Sequence, residues 1–149
     1  IGVPLSLAIL IRDTVDGRDW LLAVLLITFS IDTAAFSVGR LIGKRKLAPW
    51  ISPGKTWEGV VGALCAGVAV AIGLTLMLEL PIDLWMASLF GILLVVAAIS
   101  GDLTESWLKR SAGAKDSGRL IPGHGGILDR TDSAIATLVI TYFWVMLVL

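Results

Sequence analysis

Apolar runs as long as a bilayer is thick dominate this sequence and restrict the folds open to it. A membrane-spanning helix needs about 20 consecutive, mostly apolar residues. We therefore predict an all-α, polytopic membrane helix bundle with four full transmembrane helices and one truncated N-terminal helix. The full runs cover residues 20–39, 59–80, 85–108 and 131–149, and the short run covers residues 1–11.

The composition favours a membrane protein over a soluble one. Of the 149 residues, 56% are hydrophobic and 16% are charged, whereas soluble proteins carry about 25% charged residues. The connections leave no room for a soluble domain, so we expect a single membrane-embedded domain over residues 1–149. Because the chain begins Ile-Gly-Val-Pro and its first run is short, we expect a fragment that lacks N-terminal helices. The lone Cys65 excludes a disulfide and a cysteine-metal cluster.

The basic residues indicate how the bundle is oriented. Ten of the 12 Lys and Arg residues fall in two connections, at 40–55 and 109–130, and the other two are Arg12 and Arg18. Short loops rich in Lys and Arg remain on the cytoplasmic side of a membrane. We therefore expect an integral membrane protein whose two basic loops face the cytoplasm.

Carboxylates lie inside or at the edge of the apolar runs, where an ionised side chain is unfavourable unless it has a partner or a function. Asp32 lies within the first full run, Asp102 and Glu105 extend the third, and Asp129 and Asp132 begin the fourth. An ionised Asp at the centre of a membrane helix costs about 2.5–3.5 kcal/mol. Residues at i and i+3 share one helix face, so two acidic pairs are expected to converge near the cytoplasmic interface.

Simpler roles for these carboxylates remain open from the sequence. Asp102 could form a buried ion pair with Lys109 or Arg110, and Asp32 could be an interhelical hydrogen-bonding residue. The pair that begins the last helix could be there because negative charge is favourable at a helix N-terminus.

The segment Ser52-Pro-Gly-Lys-Thr-Trp-Glu-Gly59 resembles a phosphate site. It places a turn, a cation and a hydroxyl just before an apolar helix, whose N-terminal N–H groups favour an anion. Lys55 is the expected phosphate contact. Ser52 could instead be an N-cap, with Thr56 and Glu58 as ordinary first-turn residues. The spacing of a Walker motif is absent, and Arg40, Lys44, Arg45 and Lys46 could be topology signals alone.

The second basic connection, residues 109–126, mixes glycines with charged side chains. Glycine permits positive φ angles and close backbone approach, and a flexible linker would use it too. The density of Lys, Arg, Asp and His instead suits a triphosphate and its metal. A lone His124 in such a loop could contact a ligand, transfer a proton or form a structural hydrogen bond.

The motifs of this connection together resemble the phosphatidate cytidylyltransferase signature. They are Ser106-x-Leu-Lys-Arg110, Lys115-Asp116-x-Gly118, Leu120-x-Pro-Gly-His-Gly-Gly126 and Asp129-Arg-x-Asp132. Two further segments are similar to family features: Asp32-Thr-Ala-Ala-Phe-x-x-Gly-Arg40 and Ser52-Pro-x-Lys-Thr-x-Glu-Gly59. The resemblance covers nearly the whole chain, and the wording Asp-Arg-Thr-Asp-Ser is more similar to bacterial members.

The resemblance implies that CTP and phosphatidic acid are joined to give CDP-diacylglycerol and pyrophosphate, with Mg²⁺ required and a second cation compatible with the number of carboxylates. The catalytic residues would be Asp102, Asp129, Asp132, Lys109, Arg110, Lys115 and Asp116. Substrate would be bound by Asp32, Arg40, Lys44, Ser52, Lys55, Thr56, Glu58, Ser106, Arg119, His124, Gly125, Gly126 and Arg130. Metal ligands would come from Asp102, Asp129 and Asp132, and Glu105 would support these ligands.

The expected partners are CTP, phosphatidic acid, the lipid bilayer and a second copy in a homodimer, with no nucleic acid. The expected location is a bacterial inner membrane. The alternative is an ion or small-solute transporter in which Asp32, Asp102 and Asp129 line a path through the bundle. A path needs polar residues at several depths, whereas here the charges crowd one end.

Overall fold

The computed structural model describes residues 2–113 and 128–149, and the side chains of all of these except 3–5 and 128–131. Five helices and one two-stranded hairpin lie in this part of the chain. In order they are α1 (Gly2–Arg12), α2 (Gly17–Ile42), β1 (Lys46–Ala48), β2 (Ser52–Thr56), α3 (Trp57–Met77), α4 (Leu84–Ser111) and α5 (Leu128–Val148).

Three helices, α2, α3 and α4, are long and apolar enough to cross a membrane. The prediction of a helical membrane bundle is therefore confirmed. The fourth full span is not established in the same way, because the apolar stretch described within α5 is the shorter segment Asp132–Val148. The truncated first run forms the 11-residue helix α1.

The purely helical fold was incomplete as a prediction, because the connection between α2 and α3 contains an antiparallel hairpin. Its strands pair Lys46 with Thr56 and Ala48 with Ser52. The strands are short, and β2 contains Pro53 and Gly54, so neither residue alternation nor strand propensity indicated them.

Small residues let α3 lie directly against both of its long neighbours. The buried residues of α3 are Gly59, Ala63, Gly67, Ala71 and Thr75, one on every turn. Membrane helices approach closely where interfaces consist of such residues. We call this row the small-residue seam.

Glycine positions on and opposite the seam leave no space for a side chain. A Cβ atom added to Gly59 would lie 2.7 Å from the carbonyl oxygen of Ala35 in α2. One added to Gly91 in α4 would lie 2.8 Å from the carbonyl oxygen of Gly67. The backbones of α2, α3 and α4 are therefore in direct contact.

At the end of the bundle away from the hairpin, aromatic rings join α2, α4 and α5. The ring of Phe90 lies 5.6 Å from that of Trp20 in an edge-to-face arrangement and 5.5 Å from that of Trp144 in a stacked one. Midway along the helices, the buried Thr28 hydroxyl donates to Thr137 Oγ1 at 3.0 Å. These contacts hold α5 against the α2–α4 pair.

The seam predicts that Gly91→Ala destabilises the bundle, whereas Gly73→Ala does not. The Cβ at Gly91 meets backbone atoms that cannot move cheaply, and overpacking of this kind costs about 1–3 kcal/mol. Gly73 also lies in a helix, but nothing is within 4 Å of its added Cβ. Unfolding in mixed detergent micelles, followed by loss of helical circular dichroism, measures both variants. Equal stability of the two variants would contradict the seam.

Candidate functional site

A cavity of roughly 1130 Å³ opens at the hairpin end of the bundle, between α2, the hairpin, α4 and the start of α5. Its lining is partly apolar and partly charged. Apolar side chains include Phe29, Phe36, Val60, Ala98 and Ile99. Polar and charged side chains are Asp32, Arg40, Lys46, Ser52, Lys55, Thr56, Asp102, Glu105, Lys109, Asp132 and Ser133.

An ion pair between the hairpin and α4 lies at the centre of the cavity. Lys55 Nζ is 2.6 Å from Asp102 Oδ2, with side-chain exposures of 21% and 36%. The Ser106 hydroxyl donates to the other oxygen of Asp102 at 3.3 Å. Among the described side chains, the partner of Asp102 is thus Lys55, and the alternative pairing with Lys109 or Arg110 was wrong.

Three helices each bring one carboxylate to this cation. Asp32 from α2, Asp102 from α4 and Asp132 from α5 are close enough to repel one another electrostatically, and Lys55 attracts both Asp32 and Asp132. The backbone N–H of Ser133 donates to Asp132 Oδ1 at 2.8 Å, and the Ser133 side chain is near enough to Asp32 to stabilise its carboxylate. Of the two acidic pairs expected to converge, Asp102 and Asp132 thus lie close together and are joined by Asp32, while the side chain of Asp129 lies outside the described residues.

The last turns of α4 explain why Lys109 and Arg110 do not reach Asp102. Lys109 Nζ pairs with Glu105 Oε2 at 2.9 Å, one turn before it on the same helix. Arg110 points the other way, and its Nε donates to the carbonyl oxygen of Ile51 at 3.5 Å. Glu105 is 7% exposed, and it lines the cavity together with Lys109.

Some residues around the start of α3 stabilise the helix start and the hairpin, and some line the cavity. Thr56 is the N-cap, and its Oγ1 accepts from the Gly59 N–H at 3.1 Å, so the cap is Thr56 and not Ser52. Both oxygens of Glu58 accept from the Arg45 N–H at 3.2 Å, which attaches the hairpin to α3. Ser52 lines the cavity, as Thr56 also does.

The other basic site candidates near the hairpin differ in whether they line the cavity. Arg40 lines the cavity, with its guanidinium 5.9 Å from the centre of the Phe36 ring. Lys44 is exposed and is not among the lining residues. Glu58, Ser106 and Arg110 also lie outside the lining.

Several predicted site residues cannot be placed. Lys115, Asp116, Arg119, His124, Gly125 and Gly126 lie outside the described residues, as do the side chains of Asp129 and Arg130.

Sequence reasoning did not select Ser133, Lys46, Phe29 or Phe36 as site residues. Ser133 follows Asp132 directly, so a small hydroxyl beside a membrane carboxylate was the available signal. Phe36 belongs to the family-like segment Asp32–Arg40, whereas no pattern distinguished Phe29 from lipid-facing residues.

Comparison with known proteins agrees with the sequence motifs. The model of the cytidylyltransferase family matches residues 1–148. A phosphatidate cytidylyltransferase of Brucella suis biovar 1 is 41% identical over 140 residues, covering 94% of this chain and 52% of that protein. One from Staphylococcus haemolyticus is 45% identical over 123 residues, covering 83% of this chain and 47% of that protein. The chain spans about half the length of these relatives, and the resemblance found in the motifs is confirmed.

The ion pair predicts an energetic coupling between Lys55 and Asp102. In a double-mutant cycle with Lys55→Met and Asp102→Asn, the two changes should be non-additive in unfolding free energy by about 1 kcal/mol, because they remove the same partly exposed interaction. Pairing Lys55→Met with Glu79→Gln, an exposed carboxylate in the α3–α4 connection, should give additive effects. Additivity in both cycles would show that the ion pair contributes nothing to stability.

Proposed function

The chain belongs to the cytidylyltransferase family, and from this we propose that it forms the catalytic part of an enzyme that joins CTP to phosphatidic acid. The products would be CDP-diacylglycerol and pyrophosphate. The observation that carries the proposal is the cavity itself, in which a Lys55–Asp102 ion pair lies beside two further carboxylates. In such an arrangement Lys55 could exchange its carboxylate partner for a phosphate group of the substrate.

The mixed apolar and charged lining of the cavity suits a substrate that is half lipid and half anion. Phe29 and Phe36 line the cavity and are 68% and 65% exposed. A lipid could therefore enter sideways from the bilayer with its acyl chains still among other lipids. Its phosphate would meet Arg40 and Lys46, which line the same cavity.

In the proposed reaction, a phosphate oxygen of phosphatidic acid attacks the α-phosphorus of CTP. A new phosphorus–oxygen bond forms while the bond to the pyrophosphate leaving group breaks. Both reactants are anions, so the protein must reduce their repulsion and align them, and it needs no covalent protein nucleophile. Lys55 and Lys109 would neutralise phosphate oxygens, with Ser52 as a hydrogen-bond donor near them.

We propose that Asp102 and Asp132 hold Mg²⁺ together with Asp129, which lies on the same helix turn as Asp132. The donor chemistry fits, because Mg²⁺ takes one or two carboxylates and fills its other positions with water or substrate phosphate. Among the described residues, no group of three His, Cys, Asp or Glu side chains could hold a metal, so the proposed site would need Asp129 or substrate oxygens as further ligands. When bound, the metal supplies charge neutralisation at the reacting phosphates.

We further propose that α5 is a fourth span and that the cavity faces the cytoplasm of a bacterial inner membrane. The 21 residues of α5 correspond to about 30 Å of helix, the thickness of a bilayer core. The clustering of Lys and Arg at the hairpin end supports this orientation. The homodimer stays a prediction, and the transporter alternative gains no support from the family or from the names of the relatives.

The proposal predicts that Asp102→Asn abolishes CTP-dependent, Mg²⁺-dependent formation of CDP-diacylglycerol. The loss should be about 100-fold or more, because a charged group that organises the transition state is removed. Glu79→Gln, which removes an exposed carboxylate far from the cavity, is the matched control and should keep activity. Radiolabelled CTP and short-chain phosphatidic acid in detergent, with and without Mg²⁺, provide the assay.

The assay is run on the chain itself and on a chimera in which the chain replaces the matching segment of the Brucella suis relative. Product from the chimera alone would show that residues beyond this segment are required. A folded chimera that makes no product would overturn the proposed reaction.

A further inference from the structure

The hairpin carries an exposed aromatic residue at its tip and exposed cations at its base. Trp50 is 94% exposed, and Lys44 and Arg45 at the base of the hairpin are exposed as well. None of these three residues lines the cavity. Their exposure is therefore not explained by the proposed reaction.

Contacts with α4 fix the height of the hairpin tip along the bundle. The carbonyl of Ile51, next to Trp50, accepts from Arg110 Nε at 3.5 Å. Arg110 lies one turn beyond Trp107, a distance of about 5 Å along the helix axis. Trp107 is 54% exposed, and exposed Trp residues near the ends of spanning helices are typical of the membrane–water interface. The hairpin tip is therefore close to the last turns of α4, where Trp107 is exposed.

The base of the hairpin is attached to α3 at the same level. The Trp57 N–H donates to the Arg45 carbonyl at 3.0 Å, and the Arg45 N–H donates to both carboxylate oxygens of Glu58 at 3.2 Å. Trp57, the first residue of α3, is itself 55% exposed. The two ends of the hairpin are therefore attached to the end of α4 and to the start of α3, each near an exposed Trp.

We propose that Lys44, Arg45 and Trp50 form a docking surface for the anionic headgroups of the surrounding leaflet. Indole rings favour the headgroup region, and each Lys or Arg near an anionic membrane surface strengthens attraction about fivefold. Zwitterionic lipid would satisfy the ring but not the cations, so the surface is complementary to an anionic one. The proposal depends on the hairpin geometry and is independent of the proposed reaction.

Quenching of tryptophan fluorescence by brominated lipid tests this surface. The whole chain is placed in nanodiscs of brominated phosphatidylcholine, alone or with a third of the lipid replaced by phosphatidylglycerol. The contribution of Trp50 is the difference between the unchanged chain and Trp50→Phe. The same difference is measured in a Lys44→Gln/Arg45→Gln background. Arg12→Gln/Arg18→Gln is the charge-matched control, since both residues are exposed at the opposite end.

We expect Trp50 to be quenched in the anionic nanodiscs, with a severalfold loss of its quenching when phosphatidylglycerol is omitted or when Lys44 and Arg45 are neutralised. The Arg12/Arg18 control should leave Trp50 quenching unchanged. Absence of Trp50 quenching in both lipids would overturn the proposal. Quenching that is equal with and without phosphatidylglycerol and unaffected by Lys44→Gln/Arg45→Gln would also overturn it, because the cations would then be topology signals alone.

Discussion

The close approach of α3 to its neighbours is the constraint on which the remaining structure depends. Water does not drive membrane helices together, so association relies on backbone proximity and packing. The small-residue seam provides that proximity on both sides of α3, through Gly59 against Ala35 and Gly67 against Gly91. A larger residue in the seam would separate α2 from α4. Asp32 and Asp102 would then no longer share a cavity with Lys55.

Once the helices are this close, the carboxylates create an electrostatic problem that the hairpin solves. Asp32, Asp102 and Asp132 repel one another, and each would be costly in a membrane without a partner. The hairpin begins where α2 ends and leads into α3, so Lys55 is delivered to the same point from the adjacent connection. The hydrogen bonds between Arg45 and Glu58 keep that connection in place. Packing and charge compensation therefore depend on each other.

Sequence reasoning identified the parts that depend on composition and local spacing. The apolar runs correspond to α1–α5 within a few residues, Lys55 was selected from the Pro-Gly turn and helix start, and the acidic pairs were expected to converge. It could not give the partner of Asp102, because Lys55 and Lys109 are equally suitable cations until the helices are packed. The Thr28–Thr137 hydrogen bond depends likewise on the rotation of two distant helices. The hairpin was missed because three and five residues are too few for a strand pattern to emerge.

The Lys55–Asp102 ion pair has a consequence for how such a protein is made in the cell. A helix with an uncompensated carboxylate is difficult to insert and to keep within lipid. Here the compensating cation belongs to the same chain, on the connection synthesised between α2 and α3, before α4 emerges. The helices can therefore assemble around their charges without a bound ligand. Folding of the bundle and occupation of its cavity become separate events.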